Sequence, residues 1–169
     1  MSKFIPFSCY SDSRELCQEL QDKNKRTKDF IRLFQPIKPM LAKREKMEKL
    51  QDIVQSQNFY IETKFDGERI QVHISQENIK FFTRNSIDYT SIYGHKLSQT
   101  IKQNIRCESV ILDGEIIVIE KDTGMAVPFG ANKPTAQQQD EDSYPYQLCY
   151  KVFDVLYVKS QGDEHILLD

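Results

Sequence analysis

The sequence predicts an α+β fold with a substantial antiparallel sheet. Several segments alternate apolar and polar residues with a period of two, which is the pattern of strands that bury one face. Fewer stretches repeat their apolar residues at the spacing of a helix. Hydrophobic residues make up 39% of the 169 residues. This fraction is enough for the core of one domain, or of one domain and a fragment of another.

The strands are predicted from five segments after residue 57. NFYIETK and RIQVHIS both alternate, and Asp66-Gly67 between them is a favoured turn dipeptide, so we predict that they form a hairpin. Further strands are predicted at IKFFT, SVILDGEIIVIE and QLCYKVFDVLYV. The polar stretch from Asn132 to Tyr144, between the last two strands, is predicted to be a mobile surface loop.

Three helices are predicted from apolar residues that share one face. Pro36 and Pro39 exclude a regular helix between the first helix and the second. The predicted buried faces are Leu16, Cys17 and Leu20 in residues 13–24, Met47, Leu50 and Val54 in residues 43–55, and Leu97, Ile101 and Ile105 in the third helix.

Charge and cysteine usage exclude some classes of protein. No apolar run is long enough to cross a membrane, and the N-terminus lacks the basic and apolar regions of a secretory signal. The four scattered cysteines form no CxxC pair, which fits reduced thiols in a cytosolic or nuclear protein. The net charge is -2, but Lys23 to Lys49 holds ten Lys/Arg and three Asp/Glu. This basic run can contact phosphates, although a solvated linker explains it when it is taken alone.

The segment Lys64-Phe65-Asp66-Gly67-Glu68-Arg69 carries the main chemical signal. A lysine acts as a nucleophile when it is deprotonated, and desolvation or a neighbouring positive charge lowers its pKa. Arg69 and Arg84 are candidate neighbours for Lys64. The simpler interpretation is an exposed hairpin with charged ends. The spacing favours a nucleophilic lysine over an exposed hairpin. KxDGxR fixes four positions, and a chance match to it in a chain of this length has a probability of order 10⁻³.

This hexapeptide resembles the nucleotidyl-transfer motif shared by DNA ligases, RNA ligases and mRNA capping enzymes. In that superfamily the lysine attacks the α-phosphate of a nucleotide and forms a phosphoramidate. Asp113-Gly114-Glu115 resembles the next motif of the superfamily. Asp113 and Glu115 share a face of an extended segment and could hold Mg²⁺, although a turn with exposed acids is the alternative. Phe153 lies in FDVLY, which resembles the strand whose aromatic ring stacks on the base.

Two further segments narrow the resemblance to DNA ligases. FFTRN, from Phe81 to Asn85, resembles the segment whose arginine contacts phosphate. PMLA, from Pro39 to Ala42, resembles the segment before the adenylation domain of eukaryotic and archaeal DNA ligases. Local similarity from about Arg14 to Val158 is greatest to the DNA ligase IV branch, the branch that acts in end joining.

The resemblance implies a nucleotidyltransferase (ATP-grasp-like) fold and two parts of the chain. Residues 1–30 resemble the tail of a helical DNA-binding domain and a linker, and residues 31–169 resemble a partial adenylation domain that is truncated at its C-terminus. The glutamate-glycine motif and the KxK motif that follow in the superfamily are not found after Lys64. Phe129 stands where some relatives have a lysine, so no nucleotide contact is carried over to it.

The resemblance also implies ATP and Mg²⁺ as cofactors and a role for each motif residue. Lys64 would take AMP onto its side chain. The remaining site residues would be Glu62 at the adenine amine, Thr63 and Phe65 in the pocket wall, Arg69 at the ribose, Arg84 at phosphate, Glu115 at the ribose or the metal, and Phe153 at the base.

The implied substrate of the full-length enzyme is nicked or broken double-stranded DNA, joined in the nucleus during non-homologous end joining. An end-joining scaffold protein would bind only through regions beyond this sequence, and no membrane is involved.

Two alternatives stay open on the sequence alone. One is a non-catalytic truncated ligase paralogue, and the other is an RNA ligase or capping-type nucleotidyltransferase.

Overall fold

The computed structural model describes residues 31–166 except 43, 57–59, 77, 129, 141, 161 and 162. Within these residues, one antiparallel sheet has the strand order β2-β1-β3-β4-β5. The strands are β1 (Glu68–Ser75), β2 (Asn78–Thr83), β3 (Ser109–Glu120), β4 (Tyr146–Ser160) and β5 (Asp163–Ile166). The helices are α1 (Met47–Ser56), α2 (Thr90–Asn104) and α3 (Asn132–Gln137). The predicted α+β fold with an antiparallel sheet is confirmed.

β3 is the central strand and explains why SVILDGEIIVIE is so apolar. It pairs with β1 on one side and with β4 on the other. Most of its residues are buried, on both faces of the sheet. A strand that is covered on both faces loses the strict alternation of an exposed sheet and becomes nearly continuous in apolar residues.

The first face of the sheet packs against α2. Tyr93 and Leu97 of α2 are buried there beside Phe81 of β2. The strand residues of this core are Ile70, Val72, Ile74, Val110, Leu112 and Ile116. Full burial of a large apolar side chain contributes about 1.5–3 kcal/mol relative to its exposure, so this face supplies most of the apolar stabilisation.

The second face of the sheet is covered in part by the chain before α1. Ile31 and Ile37 pack against Ile111, Leu156 and Tyr157 in a smaller cluster. The described part of this stretch, residues 31–42 and 44–46, has no helix, as the two prolines predict. It therefore needs hydrogen-bond partners for its backbone from elsewhere.

Gln71 and His73 of β1 provide those partners. The Phe34 amide donates to Nδ1 of His73 at 3.0 Å, and the Ile37 amide donates to Oε1 of Gln71 at 2.8 Å. Nε2 of Gln71 donates to the Ile37 carbonyl at 3.2 Å. Nε2 of His73 lies 2.8 Å from Oε1 of Gln71, and this oxygen can only accept. His73 is therefore the neutral tautomer with its proton on Nε2, and burial lowers its pKa to about 3.

The predicted hairpin at Asp66-Gly67 is wrong. Tyr60–Asp66 forms no strand, and residues 58 and 59 lie outside the described residues. A strand requires a neighbour for its backbone groups, and no described strand pairs with this segment. The second strand of the predicted pair is confirmed as β1.

Gly67 and Gly114 are required by close packing. A β-carbon on Gly67 would lie 2.2 Å from the Ile116 carbonyl oxygen. A β-carbon on Gly114 would lie 2.5 Å from the Lys151 carbonyl oxygen and 2.7 Å from the Tyr150 ring. The Tyr150 hydroxyl donates towards the Ile70 and Leu112 carbonyls on the same side of the sheet. The glycines of both motifs therefore let neighbouring elements approach β3.

Two predicted helical features need correction. The helix predicted at 43–55 is present as α1, but its apolar face of Met47, Leu50 and Val54 is exposed. Within the described residues, no element lies against this face in an extended contact, so an amphipathic pattern did not here indicate burial. The loop predicted from Asn132 to Tyr144 instead begins with α3, in which Asn132, Thr135 and Ala136 are buried.

The remaining predicted elements either agree with the structure or lie outside the residues that the structure describes. IKFFT is β2, QLCYKVFDVLYV lies within β4, and the third predicted helix is α2. The helix predicted at residues 13–24 and the assignment of residues 1–30 to a helical DNA-binding domain lie outside the described residues.

The first prediction concerns the pH dependence of folding. Folded His73 stays neutral down to a pKa of about 3, whereas an unfolded histidine is protonated below about pH 6.5. The unfolded chain therefore binds more protons between these values, and the free energy of unfolding increases with pH across this range and is flat above it. We expect urea unfolding to show that His73 lowers stability by on the order of 2 kcal/mol at pH 4.5 relative to pH 7. His73→Gln should remove this part of the slope, and an unchanged slope would contradict the assignment.

The second prediction concerns the packing of the two motif glycines. Gly67→Ala and Gly114→Ala should each lower the free energy of unfolding by roughly 1–3 kcal/mol or more, because each new methyl overlaps backbone atoms. Gly94→Ala in α2 is the matched control, since its β-carbon would meet only ordinary contacts from 3.4 Å and alanine favours a helix. Equal unfolding midpoints for the three variants would refute the packing argument.

Candidate functional site

A cleft of about 510 Å³ lies at the start of β1, beside Glu115 in the middle of β3. Its base is formed by residues of these two strands, and its sides by the turn after β2 and by the start of α3. The lining residues are Gly67, Glu68, Arg69, Thr83, Arg84, Asn85, Ile87, Tyr89, Glu115, Gly130, Asn132 and Lys133. Three residues predicted from the sequence, Arg69, Arg84 and Glu115, thus converge on one cleft.

The pairing of β1 with β3 places Arg69 beside the carboxylates of the second motif. Arg69 and Glu115 are Cα partners in this ladder. Nη2 of Arg69 donates to Oδ2 of Asp113 at 2.7 Å, and Nε donates to Oδ1 at 3.1 Å. Nη1 donates to the Met40 carbonyl at 2.8 Å. A planar guanidinium with two parallel bonds to one carboxylate has a fixed orientation.

This ion pair is largely removed from solvent. The Asp113 side chain is 4% exposed and the Arg69 side chain 26% exposed. The hydrogen bonds that Arg69 donates to Asp113 are the main reason why the pKa of Arg69 is raised. Since an arginine has five N–H donors, two remain for a ligand on the exposed side. The bond to Met40 also gives the PMLA segment a structural role, because its backbone holds the arginine of the lysine motif.

Phe153 lies over the guanidinium of Arg69. The centre of the Phe153 ring is 5.3 Å from Cζ of Arg69. Phe153 falls at a bulge in β4, because Asp113 pairs with Asp154 whereas Gly114 pairs with Val152. A bulge leaves one residue without a partner and redirects its side chain. The ring is 43% exposed, so it keeps a free surface beside Arg69.

Glu115 is held at the base of the cleft. Its Oε1 accepts the Gly67 amide at 3.2 Å. Burial raises the pKa of Glu115, while the Gly67 amide and the charges of Arg69 and Lys64 act in the opposite direction. The carboxylate of the second motif is therefore joined directly to the loop of the first motif.

Lys64 lies in the unpaired segment that leads into this loop. Its side chain is 84% exposed, and Nζ lies 3.7 Å from Oδ1 of Asp66. Glu62 and Thr63 are exposed and Phe65 is half-buried. None of Glu62, Thr63, Lys64 and Phe65 lines the cleft. The structure therefore brings Arg69, Arg84 and Glu115 to one cleft. Phe153 contacts Arg69 but does not line the cleft, and the segment with the lysine also lies outside the lining.

A short turn positions Arg84 at the side of the cleft. Oγ1 of Thr83 accepts the amides of Asn85 and Ile87. Ser86 adopts a left-handed backbone conformation with φ of 62°, which tightens the turn between β2 and α2. The Arg84 side chain is exposed at this corner, and no described carboxylate forms an ion pair with it.

Several residues of the cleft escaped the sequence analysis. Lys133 lies within the segment predicted to be a mobile loop, and its Nζ donates to the Tyr89 hydroxyl at 3.1 Å. Asn132 donates from Nδ2 to the Ile116 carbonyl at 2.6 Å, next to the close approach of Gly67. Glu68 accepts a short hydrogen bond from the buried Tyr93. Lys133 and Asn132 lie outside every motif, and Glu68 occupies a position that the KxDGxR motif leaves unspecified. Their roles depend on contacts between segments far apart in the chain.

Asp113 is the second carboxylate that the sequence analysis considered for Mg²⁺. It does share a face with Glu115, but both of its oxygens are bonded to Arg69. Among the described residues, no group of three His, Cys, Asp or Glu side chains could hold a metal ion. Of these two carboxylates, Glu115 is the one whose oxygens are not both bonded to Arg69.

A larger groove of about 640 Å³ lies elsewhere, between α2, α3 and β4. Leu97 and Ile101 of α2 and Leu148 and Tyr150 of β4 contribute to its walls. None of the residues predicted from motifs lines it. In the part of the chain that the structure describes, no helix is long and apolar enough to cross a membrane.

The family model and the curated relatives that match this chain agree on one family. Residues 39–167 match the model of the ATP dependent DNA ligase domain. The chain is 42% identical over 145 residues to DNA ligase 4 of Dictyostelium discoideum, which covers 78% of this chain. It is 35% identical over 165 residues to DNA ligase 4 of Homo sapiens, which covers 92% of this chain.

The chain corresponds to a small part of these relatives. It spans 13% of the Dictyostelium protein and 18% of the human protein. Among solved structures, the ligase domain of M. tuberculosis LigD is similar with 22% identity and a TM-score of 0.45, over 60% of this chain and 30% of that chain. The family model covers most of the present sequence, including every predicted site residue. The chain therefore belongs to the ATP-dependent DNA ligase domain family.

Proposed function

We propose that this chain is part of the adenylation domain of an ATP-dependent DNA ligase and that Lys64 is the residue that accepts AMP. The observation that carries the proposal is the convergence of Arg69, Arg84 and Glu115 on one cleft, with Phe153 against Arg69. These residues come from four strands or turns that are distant in sequence. A shared cleft is what nucleotide binding requires and what a set of unrelated surface residues would lack.

In the proposed reaction, Nζ of Lys64 attacks the α-phosphorus of ATP. A P–N bond forms, the P–O bond to pyrophosphate breaks, and Nζ loses a proton to solvent. Arg84 stabilises negative charge on the phosphates, and the remaining donors of Arg69 bind the ribose. Phosphoryl transfer of this kind depends mainly on position and charge stabilisation, which a rigid ion pair between Arg69 and Asp113 provides.

Lys64 must approach the cleft for this step. The segment from Tyr60 to Asp66 has no ladder partner among the described residues, so few contacts oppose its movement. The C-terminal end of this segment is fixed, because the Gly67 amide donates a hydrogen bond to Glu115. A short displacement of this segment about Gly67 brings Lys64 towards the phosphates while Glu115 and Arg69 stay in place. Glu62, Thr63 and Phe65 would then approach the nucleotide with it.

We assign the proposed metal to Glu115 alone. Mg²⁺ would share Glu115 with the phosphates of ATP and supply charge neutralisation for the departing pyrophosphate. Asp113 orients Arg69 instead of binding the metal.

The proposed substrate of the whole protein is nicked or broken double-stranded DNA. AMP would pass from Lys64 to a DNA 5′-phosphate, and a 3′-hydroxyl would then displace AMP and seal the strand. Similarity to DNA ligase 4 in several organisms supports a role in end joining and a nuclear location. A scaffold partner would bind through other parts of the protein. The same similarity disfavours an RNA ligase or a capping enzyme.

The exposure of Lys64 favours one second candidate, a non-catalytic paralogue that binds nucleotide without forming the covalent adduct. In this case the cleft would function as a binding site, and Lys64 would stay in its exposed position. Formation of the lysine adduct separates the two candidates.

The third prediction concerns the covalent adduct. Incubation of the chain with ATP labelled at the α-phosphate and Mg²⁺ should give one AMP per chain, and peptide mass spectrometry should place it on Lys64. Lys64→Ala should abolish the label, because no other described lysine lies in the motif loop. Lys49→Ala in α1 is the matched control and should label normally. A folded wild-type chain that binds ATP without labelling would instead support the non-catalytic candidate.

The fourth prediction concerns the orientation of Arg69. Asp113→Asn keeps the size of the side chain but removes its charge, so we expect the free energy of unfolding to fall by roughly 1–3 kcal/mol. AMP labelling should fall more than tenfold at a temperature where the variant is folded, since Arg69 loses its fixed direction. Asp88→Asn, at the exposed ion pair with Lys80, should cost about 1 kcal/mol or less. Equal effects of the two substitutions would argue against a special role for Asp113.

A further inference from the structure

Lys133 is a cation of the cleft that the motifs do not include. It belongs to the first turn of α3, and its side chain is exposed and lines the cleft with Arg84 and Glu115. Arg69 and Arg84 are the two cations of the cleft that the sequence predicted. The charge of Arg69 is neutralised by Asp113. Among the described residues, neither Lys133 nor Arg84 forms an ion pair with a carboxylate. Two cations without such a partner thus face one concave space.

Tyr89 holds the ammonium group of Lys133 in position. Nζ lies 4.8 Å from the centre of the Tyr89 ring and donates to the Tyr89 hydroxyl at 3.1 Å. A lysine side chain has several free rotors, and contact with both the ring and the hydroxyl of one tyrosine restricts them. This hydrogen bond is the main reason why the pKa of Lys133 is raised, and an exposed lysine is in any case charged at neutral pH.

The elements that carry Lys133 and Tyr89 are themselves fixed. Asn132, next to Lys133, is buried and bonded to the Ile116 carbonyl. Tyr89 precedes α2 and donates its amide to the Phe81 carbonyl at 2.8 Å. Glu68, a carboxylate of the cleft, accepts the hydroxyl of buried Tyr93 and so is already engaged. The position of Lys133 is therefore built into the fold by contacts on both sides.

We propose that Lys133 binds phosphate groups of the nucleotide in this cleft, together with Arg84, and that Tyr89 positions it for this contact. The inference rests on the proposed function, since it takes the ligand of the cleft to be a nucleoside triphosphate. An ammonium group binds phosphate as a point charge and requires no planar geometry. A cleft of about 510 Å³ is in the range of small-molecule sites.

The chemistry of the site favours a nucleotide over DNA as the source of the phosphate. Lys133 shares its cleft with Glu115 and Arg69 and lies beside the Tyr89 ring, within a concavity of limited volume. A surface that follows a DNA backbone would instead be an extended row of cations. The phosphates of one small ligand fit the observed placement of two cations around one cavity.

The fifth prediction tests this contact by equilibrium binding of inorganic tripolyphosphate and of adenosine to the folded chain, measured by calorimetry at low ionic strength. Lys133→Ala should weaken tripolyphosphate binding about tenfold or more and change adenosine binding less than twofold. Lys133→Arg should retain most of the tripolyphosphate affinity, because it retains the charge. Tyr89→Phe keeps the ring and removes the hydroxyl, so we expect a loss of about two- to threefold.

Lys49→Ala removes the same charge outside the cleft and is the matched control. A loss for Lys133→Ala no larger than that for Lys49→Ala would overturn the proposal, as would equal losses for tripolyphosphate and adenosine or no binding of tripolyphosphate to the wild-type chain. A loss confined to binding of nicked DNA would also overturn it. Tripolyphosphate binding that depends on Lys133 in a chain that never labels Lys64 would support this inference and contradict the proposed function.

Discussion

The ion pair between Arg69 and Asp113 is the interaction on which the rest of the site depends. It joins β1 to β3 beside the cleft, and the Met40 carbonyl and the Phe153 ring complete the surroundings of the guanidinium. Because both partners are largely removed from water, loss of either would leave a poorly solvated charge. The pair is thus costly to disturb and suited to holding one arginine in one orientation.

The two faces of the sheet have different structural roles. The face against α2 contains most of the buried apolar side chains and accounts for stability. The other face carries polar residues that hold loops and segments in place: Gln71 and His73 fix the chain before α1, and Glu115 fixes the loop at Gly67. This division keeps the ion pair of Arg69 and Asp113 out of the main apolar core.

The sequence predicted β1 to β4 well, because β1, β3 and β4 are long and the apolar patterns of all four strands are strong. It failed where structure depends on partners. Tyr60–Asp66 alternates like a strand but pairs with no strand that the structure describes, and the apolar face of α1 is exposed although it has helical spacing. Motif residues such as Arg69 and Glu115 could be found by resemblance alone. Lys133 and Tyr89 could not, since their contact joins residues 44 positions apart and leaves no local pattern. Gly67 was identified correctly as special but for the wrong reason, as packing against Ile116 requires it.

The central claim is that nucleotide binds at the small cleft between β1, β3 and the start of α3, although the groove between α2 and β4 is larger. Mapping of backbone amide shifts by NMR, as ATP is added to the Lys64→Ala chain, tests this choice most directly. The account predicts shifts at Gly67, Arg69, Arg84, Glu115 and Lys133, with Leu97, Ile101 and Leu148 unchanged. Shifts confined to the groove residues, with the cleft amides unmoved, would contradict it.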